Sequence, residues 1–192
     1  ETSVIYSDLF SPGLDAGYFE HYQYILLLWC SILSSLFIFS RRLWGAFSIP
    51  IIYLFLFLDD SLQFHDRFYE NISNIAALDK IIFLDQFLRL KDFSELIYWS
   101  LVFIVILTLS LPGVFKNDTN VRSFILNNYK IYFLMAFFGI FIDIFAENII
   151  EFFLSPNDRF AFFTKVFTLL IEELGEIGII AGACIWLFGL NF

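Results

Sequence analysis

Basic and sulphur-containing side chains are scarce in this sequence. Its 192 residues include eleven Lys and Arg, two His, two Cys and one Met. The basic residues are scattered, whereas nucleic acids and anionic lipid surfaces bind clustered positive charge, so we expect neither as a binding partner. Cys30 and Cys184 both fall in apolar segments, where a free thiol behaves as a small hydrophobic group, and we therefore expect no disulfide.

The signatures of several catalytic classes are also missing. The sequence has no Cys-x-x-Cys pair, no glycine-rich phosphate loop and no Ser/His/Asp arrangement typical of hydrolases. No lysine suited to a retinal-type Schiff base is expected inside an apolar segment. The sequence therefore gives no support to these classes and assigns no catalytic residue.

Hydrophobic residues, by contrast, are in excess. They make up 59% of the chain, and 21% is aromatic, whereas soluble domains are about 45–50% apolar. A bilayer core is crossed by about 20 apolar residues in a helix. The sequence predicts an all-α integral membrane bundle, a single transmembrane domain over 1–192 with about five spans, at about 23–40, 43–66, 93–111, 130–150 and 165–190.

Individual residues predict how these helices bend and end. Pro50 predicts a local bend in the second span, and no Gly or Pro interrupts the chain from Asp59 to Asp66, so this helix is expected to continue unbroken. Pro112 and Gly113 predict the end of the third span.

Two further features concern the membrane surface and helix packing. Residues 75–90 mix apolar and charged positions over a short stretch, which predicts one amphipathic helix lying in the interface. The last span is rich in glycine, which predicts close helix packing at Gly175, Gly178, Gly182 and Gly189.

The acidic residues collect on one side of the predicted bundle. Five alternating crossings place the starts of spans one, three and five beside the ends of spans two and four. The opposite face has almost no acid beyond Asp118, whereas the shared face carries both histidines and many acids: Glu20, His21, Asp59, Asp60, His65, Asp66, Asp92, Glu95, Asp143, Glu147, Glu172, Glu173 and Glu176. Asp143 and Glu173 are each expected on the order of 10 Å inside their helix ends.

Carboxylates at this depth are costly, so something must neutralise them. Because no basic residue is expected nearby, three ways of compensating the carboxylates remain: protonation, a water-filled vestibule or bound cations. Carboxylates with imidazole suit iron, manganese, zinc or calcium. The sequence therefore predicts a divalent metal site with candidate ligands Asp59, His65, Asp143, Glu147, Glu172, Glu173 and Glu176.

This ligand set resembles, in its chemistry, the carboxylate-bridged di-metal sites of four-helix bundles. It departs from their pattern because Glu172, Glu173 and Glu176 have no histidine at the expected offset.

Three functions fit this pattern. The first is a metal-binding membrane protein, including a metal-dependent enzyme acting on a lipid or a small apolar substrate. The second is a cation or proton conduit that uses the same acids, and the third is a non-catalytic accessory subunit bound to other membrane subunits. Each places the chain in a lipid bilayer as a multi-pass protein, with a bacterial inner membrane as the default expectation. Basic residues are divided almost evenly between the two sides, so the orientation is not predicted.

Overall fold

The computed structural model describes residues 18–73, 90–115, 118–142 and 159–192. These residues are almost entirely helical, and no strand occurs among them. The helices are α1 (Tyr18–Arg41), α2 (Ser48–Leu62), α3 (Phe64–Ser73), α4 (Leu90–Phe115), α5 (Thr119–Ala136) and α6 (Arg159–Asn191), with a 3-10 turn at Trp44–Ala46 and a π-helical segment at Phe137–Ile142.

Within the described ranges, five segments are long and apolar enough to cross a membrane, which confirms the predicted helical membrane bundle. They are Tyr18–Arg41, Trp44–Leu62, Phe93–Phe115, Thr119–Ile142 and Val166–Asn191. The predicted spans 23–40, 93–111 and 165–190 lie within α1, α4 and α6. Of the interfacial helix predicted at 75–90, all but Leu90 lies outside the described residues.

Paired contacts give the direction of each helix relative to its neighbours. Ser31 on α1 donates a 2.9 Å hydrogen bond to the Pro50 carbonyl, while Tyr24, earlier in α1, reaches the Asp60 carbonyl later in α2. These two helices are therefore antiparallel. α1 and α6 are parallel, because the side chains of Gln23 and Glu176 meet near their starts while Asn191 reaches the Leu33 carbonyl further along.

The core lies mainly between α1, α2, α5 and α6, and it contains polar side chains that are satisfied internally. Tyr53 and Asn128 are both fully buried, and the Tyr53 hydroxyl donates to Asn128 Oδ1 at 3.0 Å. This pairing avoids the cost of burying a polar group without a hydrogen bond. Cys30 and Cys184 are free thiols, and their Sγ atoms lie 3.3 Å apart between α1 and α6.

The second span is not continuous, contrary to the sequence prediction. α2 ends at Leu62 and α3 begins at Phe64, with Gln63 between them in the left-handed conformation, at φ 51° and ψ 50°. The prediction relied on the absence of Gly and Pro, but other residues adopt this conformation when surrounding contacts compensate for its cost. The break turns the chain immediately before His65.

Both proline predictions were also wrong. Pro50 is the third residue of α2, in the first turn, where its missing N–H costs no helical hydrogen bond. Pro112 lies inside α4, which continues to Phe115. Proline there removes only one hydrogen bond close to the helix end, a loss that membrane helices tolerate.

The fourth span begins earlier than predicted. The Asp118 carboxylate accepts hydrogen bonds from the backbone N–H groups of Asn120 and Val121, which caps α5 at its start. Lys130 was expected at the beginning of this span, but it lies midway between Thr119 and Ile142. The helix therefore extends eleven residues before Lys130.

Glycine packing is concentrated at different positions from those predicted. A Cβ atom added at Gly175 would overlap the Phe138 ring, as the sequence suggested. At Gly178, Gly182 and Gly189, however, an added Cβ would meet no atom within 4 Å. A Cβ added at Gly113, by contrast, would overlap the backbone oxygen of Gly45 in the 3-10 turn.

Replacing Gly113 by Ala is therefore expected to lower the free energy of unfolding by about 1–3 kcal/mol, because the overlapping atom belongs to the backbone and cannot rotate away. Gly182→Ala is the matched control, since its methyl group enters open space. Unfolding of both variants in detergent would measure the difference. Equal stability of the two variants would contradict the close approach of α4 to the 3-10 turn.

Candidate functional site

A cavity of about 520 Å³ opens among the helices at the face where the acids were predicted. Its wall includes the side chains of one histidine, His65, and of six acidic residues: Glu20, Asp60, Glu95, Glu172, Glu173 and Glu176. Among the described residues that line the cavity there is no Lys or Arg. The cavity is therefore a strongly acidic site, suited to positive charge.

The lining changes from polar to apolar with depth. Along α4 it runs from Glu95 through Trp99 to Ile106, a distance of roughly 16 Å at the helical rise. Along α6 it runs from Glu172 to Ile180. The deep end is formed by aliphatic and aromatic side chains, among them Ile52, Leu56, Phe103, Met135 and Ile140. The cavity thus has a charged end near one membrane face and an apolar end toward the bilayer centre.

The Asp59 carboxylate lies behind the charged end and is fully buried. Its Oδ1 atom accepts a short hydrogen bond from the Tyr98 hydroxyl, and its Oδ2 atom lies 3.0 Å from Nδ1 of His65. Both carboxylate oxygens are therefore engaged by side chains from α3 and α4. The His65 ring also lies near Tyr98 and Trp99, with centroid separations of 6.5 and 6.3 Å.

The helix break at Gln63 makes the Asp59–His65 contact possible. The Gln63 backbone N–H still bonds to the Asp59 carbonyl, so α2 closes normally before the chain turns. In an unbroken helix, residues six apart face different directions, whereas the break brings the His65 ring back to Asp59. The local backbone conformation therefore positions this histidine at the cavity wall.

The opposite wall is organised around Glu176 of α6. Its Oε2 atom accepts a 2.9 Å hydrogen bond from the Gln23 amide of α1. Its Oε1 atom lies so close to Gly139 that a Cβ there would overlap it. On the α1 side, Tyr24 donates to Glu20 at 2.9 Å. Glu176 is thus held by a side chain of a neighbouring helix, and Glu20 by a tyrosine one turn later in its own helix.

The predicted site residues are only partly brought together. Asp59 and His65 are in contact, and Glu172, Glu173 and Glu176 line the same cavity. Asp143 and Glu147 lie outside the described residues. Within the described ranges, no three His, Cys, Asp or Glu side chains form a group that could hold one metal ion, so the acids line a space without converging on a point.

Several residues of the site were not among the predicted ligands. Asp60, Glu20 and Glu95 line the cavity, and Gln23 and Tyr98 bind its carboxylates. Asp60, Glu20 and Glu95 could have been predicted as site residues, because the sequence places them at the same membrane face as the predicted ligands. For Tyr98, the only indication in the sequence is its position one turn after Glu95. Whether a hydroxyl pairs with a carboxylate depends on how the helices pack, which the sequence does not give.

Removing the Asp59 carboxylate is expected to be costly. Asp59→Ala should lower the free energy of unfolding by about 1–3 kcal/mol, since two partly buried side chains lose their hydrogen-bond partner, while Tyr98→Phe should cost about 0.5–1.5 kcal/mol. The double variant should cost less than the sum, because both changes remove the same hydrogen bond. Tyr22→Phe, at an exposed tyrosine, is the matched control for the loss of a hydroxyl. Strictly additive effects would show that Tyr98 and Asp59 do not interact.

Comparisons with known proteins add no further identification. The chain matches no family model, no curated protein and no solved structure. The chemistry that the cavity supports therefore follows from its own side chains.

Proposed function

We propose that this membrane protein binds a divalent metal ion at the charged end of the cavity. The observation that carries the proposal is the pair formed by Asp59 and His65, at the wall of a cavity whose other described charged groups are all carboxylates. An acidic wall alone would suit any cation. A carboxylate at Nδ1 is the arrangement that metal-binding histidines usually have, because it fixes the ring and leaves Nε2 for the metal.

In this proposal Asp59 is a positioning residue, although the sequence suggested it as a ligand. Both of its oxygens are occupied by Tyr98 and His65. The contact at Nδ1 directs coordination to the other ring nitrogen, Nε2, and a carboxylate partner raises the basicity of the ring as a ligand. Asp59 would therefore orient the His65 ring and raise its basicity without coordinating the metal itself.

The remaining ligands come from the acids of the cavity wall. Glu172, Glu173 and Glu176 on α6 face the same space as Asp60 and His65. A mixed set of imidazole and carboxylates favours iron, manganese or zinc over calcium, which takes oxygen ligands. Because no described group of three converges, we expect an ion that keeps water in its coordination shell. Asp143 and Glu147 stay in the proposal as predicted ligands from the sequence.

The shape of the cavity adds a substrate class to the proposal. Small-molecule sites usually measure about 300–1,000 Å³, and 520 Å³ exceeds what a lone ion needs. A lipid or a small apolar molecule would place its polar group at the charged end and its hydrocarbon at the apolar end. A metal held there would act as a Lewis acid or activate a bound water.

Metal binding is tested with purified protein in detergent, by elemental analysis and by calorimetric titration with Mn²⁺ and Zn²⁺. Asp59→Asn is expected to weaken binding by about 10–100-fold, as for other residues that orient a ligand. His65→Ala and Glu173→Gln should weaken it further if they are ligands. Gly139→Ala should weaken it indirectly, because the new methyl group displaces the Glu176 carboxylate.

Matched controls separate these effects from general damage. Glu70→Gln changes an exposed glutamate that does not line the cavity, and Gly178→Ala adds a methyl group in open space. Both should bind like the wild type. No metal in the purified protein, together with no heat of binding for either ion, would refute the proposal.

A cation or proton conduit is the second candidate, and one observation favours it. Tyr132 lines the deep end of the cavity, and its ring packs against Tyr53 with centroids 5.1 Å apart. Tyr53 in turn donates to Asn128. Polar groups therefore continue past the acids, where the sequence offered little beyond Ser and Thr.

The conduit predicts proton or cation flux in liposomes that falls in Asp60→Asn and in Tyr53→Phe, since each removes one polar group from this line. Tyr18→Phe, at an exposed tyrosine outside it, is the control. Wild-type flux in both variants, or no flux above empty liposomes, would exclude this candidate.

A further inference from the structure

The two cysteines of the chain meet in the core between α1 and α6. Cys30 is fully buried and Cys184 is partly buried, and their Sγ atoms lie 3.3 Å apart although the residues are 154 positions apart in the sequence. The sequence predicts no disulfide because a single thiol in an apolar segment behaves as a small hydrophobic group. Two thiols in contact, however, can also react with each other.

Backbone contacts turn both thiols toward the opposite helix. The Cys184 thiol donates to the Leu26 carbonyl of α1 at 3.3 Å, and the Cys30 thiol donates to the Ile180 carbonyl of α6 at 3.8 Å. Leu26 lies about one turn before Cys30, and Ile180 about one turn before Cys184, so the two contacts are reciprocal. A disulfide requires side chains that face each other across closely packed backbones, and this arrangement provides them.

The surroundings of the pair determine which oxidant can reach it. Between Glu20 and Arg41, α1 has no charged residue other than His21 when protonated, and α6 has none after Glu176. A charged oxidant would be costly to bring into such an apolar region, whereas an uncharged one can enter it. Cys184 is the sulphur atom that an oxidant can approach, because Cys30 is 0% exposed.

We propose that Cys30 and Cys184 are a redox-active pair that forms a reversible disulfide joining α1 to α6, with a small uncharged disulfide as the oxidant. The Cys184 sulphur attacks the oxidant first and forms a mixed disulfide, which releases one thiol of the reagent. The Cys30 sulphur then attacks Sγ of Cys184, and the second thiol leaves. The protein gives up two electrons and two protons, and the reagent takes them up as two thiols. This inference is independent of the metal proposal.

The disulfide would close most of the chain into one loop, because α2 to α5 all lie between the two cysteines. Closing a long loop restricts the unfolded chain more than closing a short one. In the folded bundle it would join α1 and α6 at a second level, about two turns beyond the hydrogen bond between Gln23 and Glu176. Oxidation is therefore expected to stabilise the bundle, and reduction to reverse the effect.

The experiment uses the reduced full chain, purified in detergent, with dithiodipyridine as the uncharged disulfide. Because the sequence has two cysteines, the products can be counted. The native protein should release two molecules of pyridinethione, and its mass should fall by two hydrogen atoms with no reagent attached. Nonreducing electrophoresis should show a monomer. The melting temperature should rise by on the order of 5 °C and return to its first value after reduction.

Two variants serve as controls for the order of the steps. Cys30→Ser should retain one reagent group on Cys184 as a stable mixed disulfide, because no second thiol is present to expel it. Cys184→Ser should not react in the folded state, since its one remaining thiol is buried.

Four results with the native protein would overturn the proposal. Reagent groups that stay on both cysteines would show that the thiols do not reach each other. No reaction before denaturation would show that the pair is inaccessible, and a disulfide between two chains would show that the pairing is intermolecular. An unchanged melting temperature after oxidation would show that the bond does not hold α1 and α6 together.

Discussion

The buried Asp59 carboxylate is the constraint on which the acidic end of the bundle depends. A carboxylate without access to water must be satisfied locally, and here Tyr98 and His65 provide the two contacts from α4 and α3. Those contacts require α3 to turn back after α2, which Gln63 allows by adopting a left-handed conformation. The need to satisfy the Asp59 carboxylate thus explains three features together: the strain at Gln63, the placement of His65 and the packing of α4.

The sequence predicted the one-sided distribution of acids because that result depends only on the number of crossings and their alternation. Contacts between Gln23 and Glu176, and between Asp59 and Tyr98, place the expected helix ends at one face. Finer features were not predictable in the same way. The break at Gln63 has no Gly or Pro to mark it, and it is selected by tertiary contacts rather than by local preference.

The prolines and Lys130 illustrate how errors in helix boundaries change the interpretation of single residues. Pro50 would kink a helix that began at residue 43, but it is harmless in the first turn of one that begins at Ser48. Lys130 would be an ordinary boundary residue in a span that began there. Once the Asp118 cap places the start of α5 at Thr119, the same lysine lies eleven residues inside the helix, on its exposed face.

A single rule connects the acid cavity with the outer face of α5. Ionisable groups persist at membrane depth only when an opposite charge, a hydrogen bond or water compensates them. The acids face inward, where no basic side chain lines the described part of the cavity and where Gln23 and Tyr98 donate hydrogen bonds to Glu176 and Asp59. Lys130 faces outward, and its Nζ atom donates to Asn127 Oδ1 on the same helix. In each case a neutral amide or hydroxyl group provides a hydrogen bond to the charged side chain.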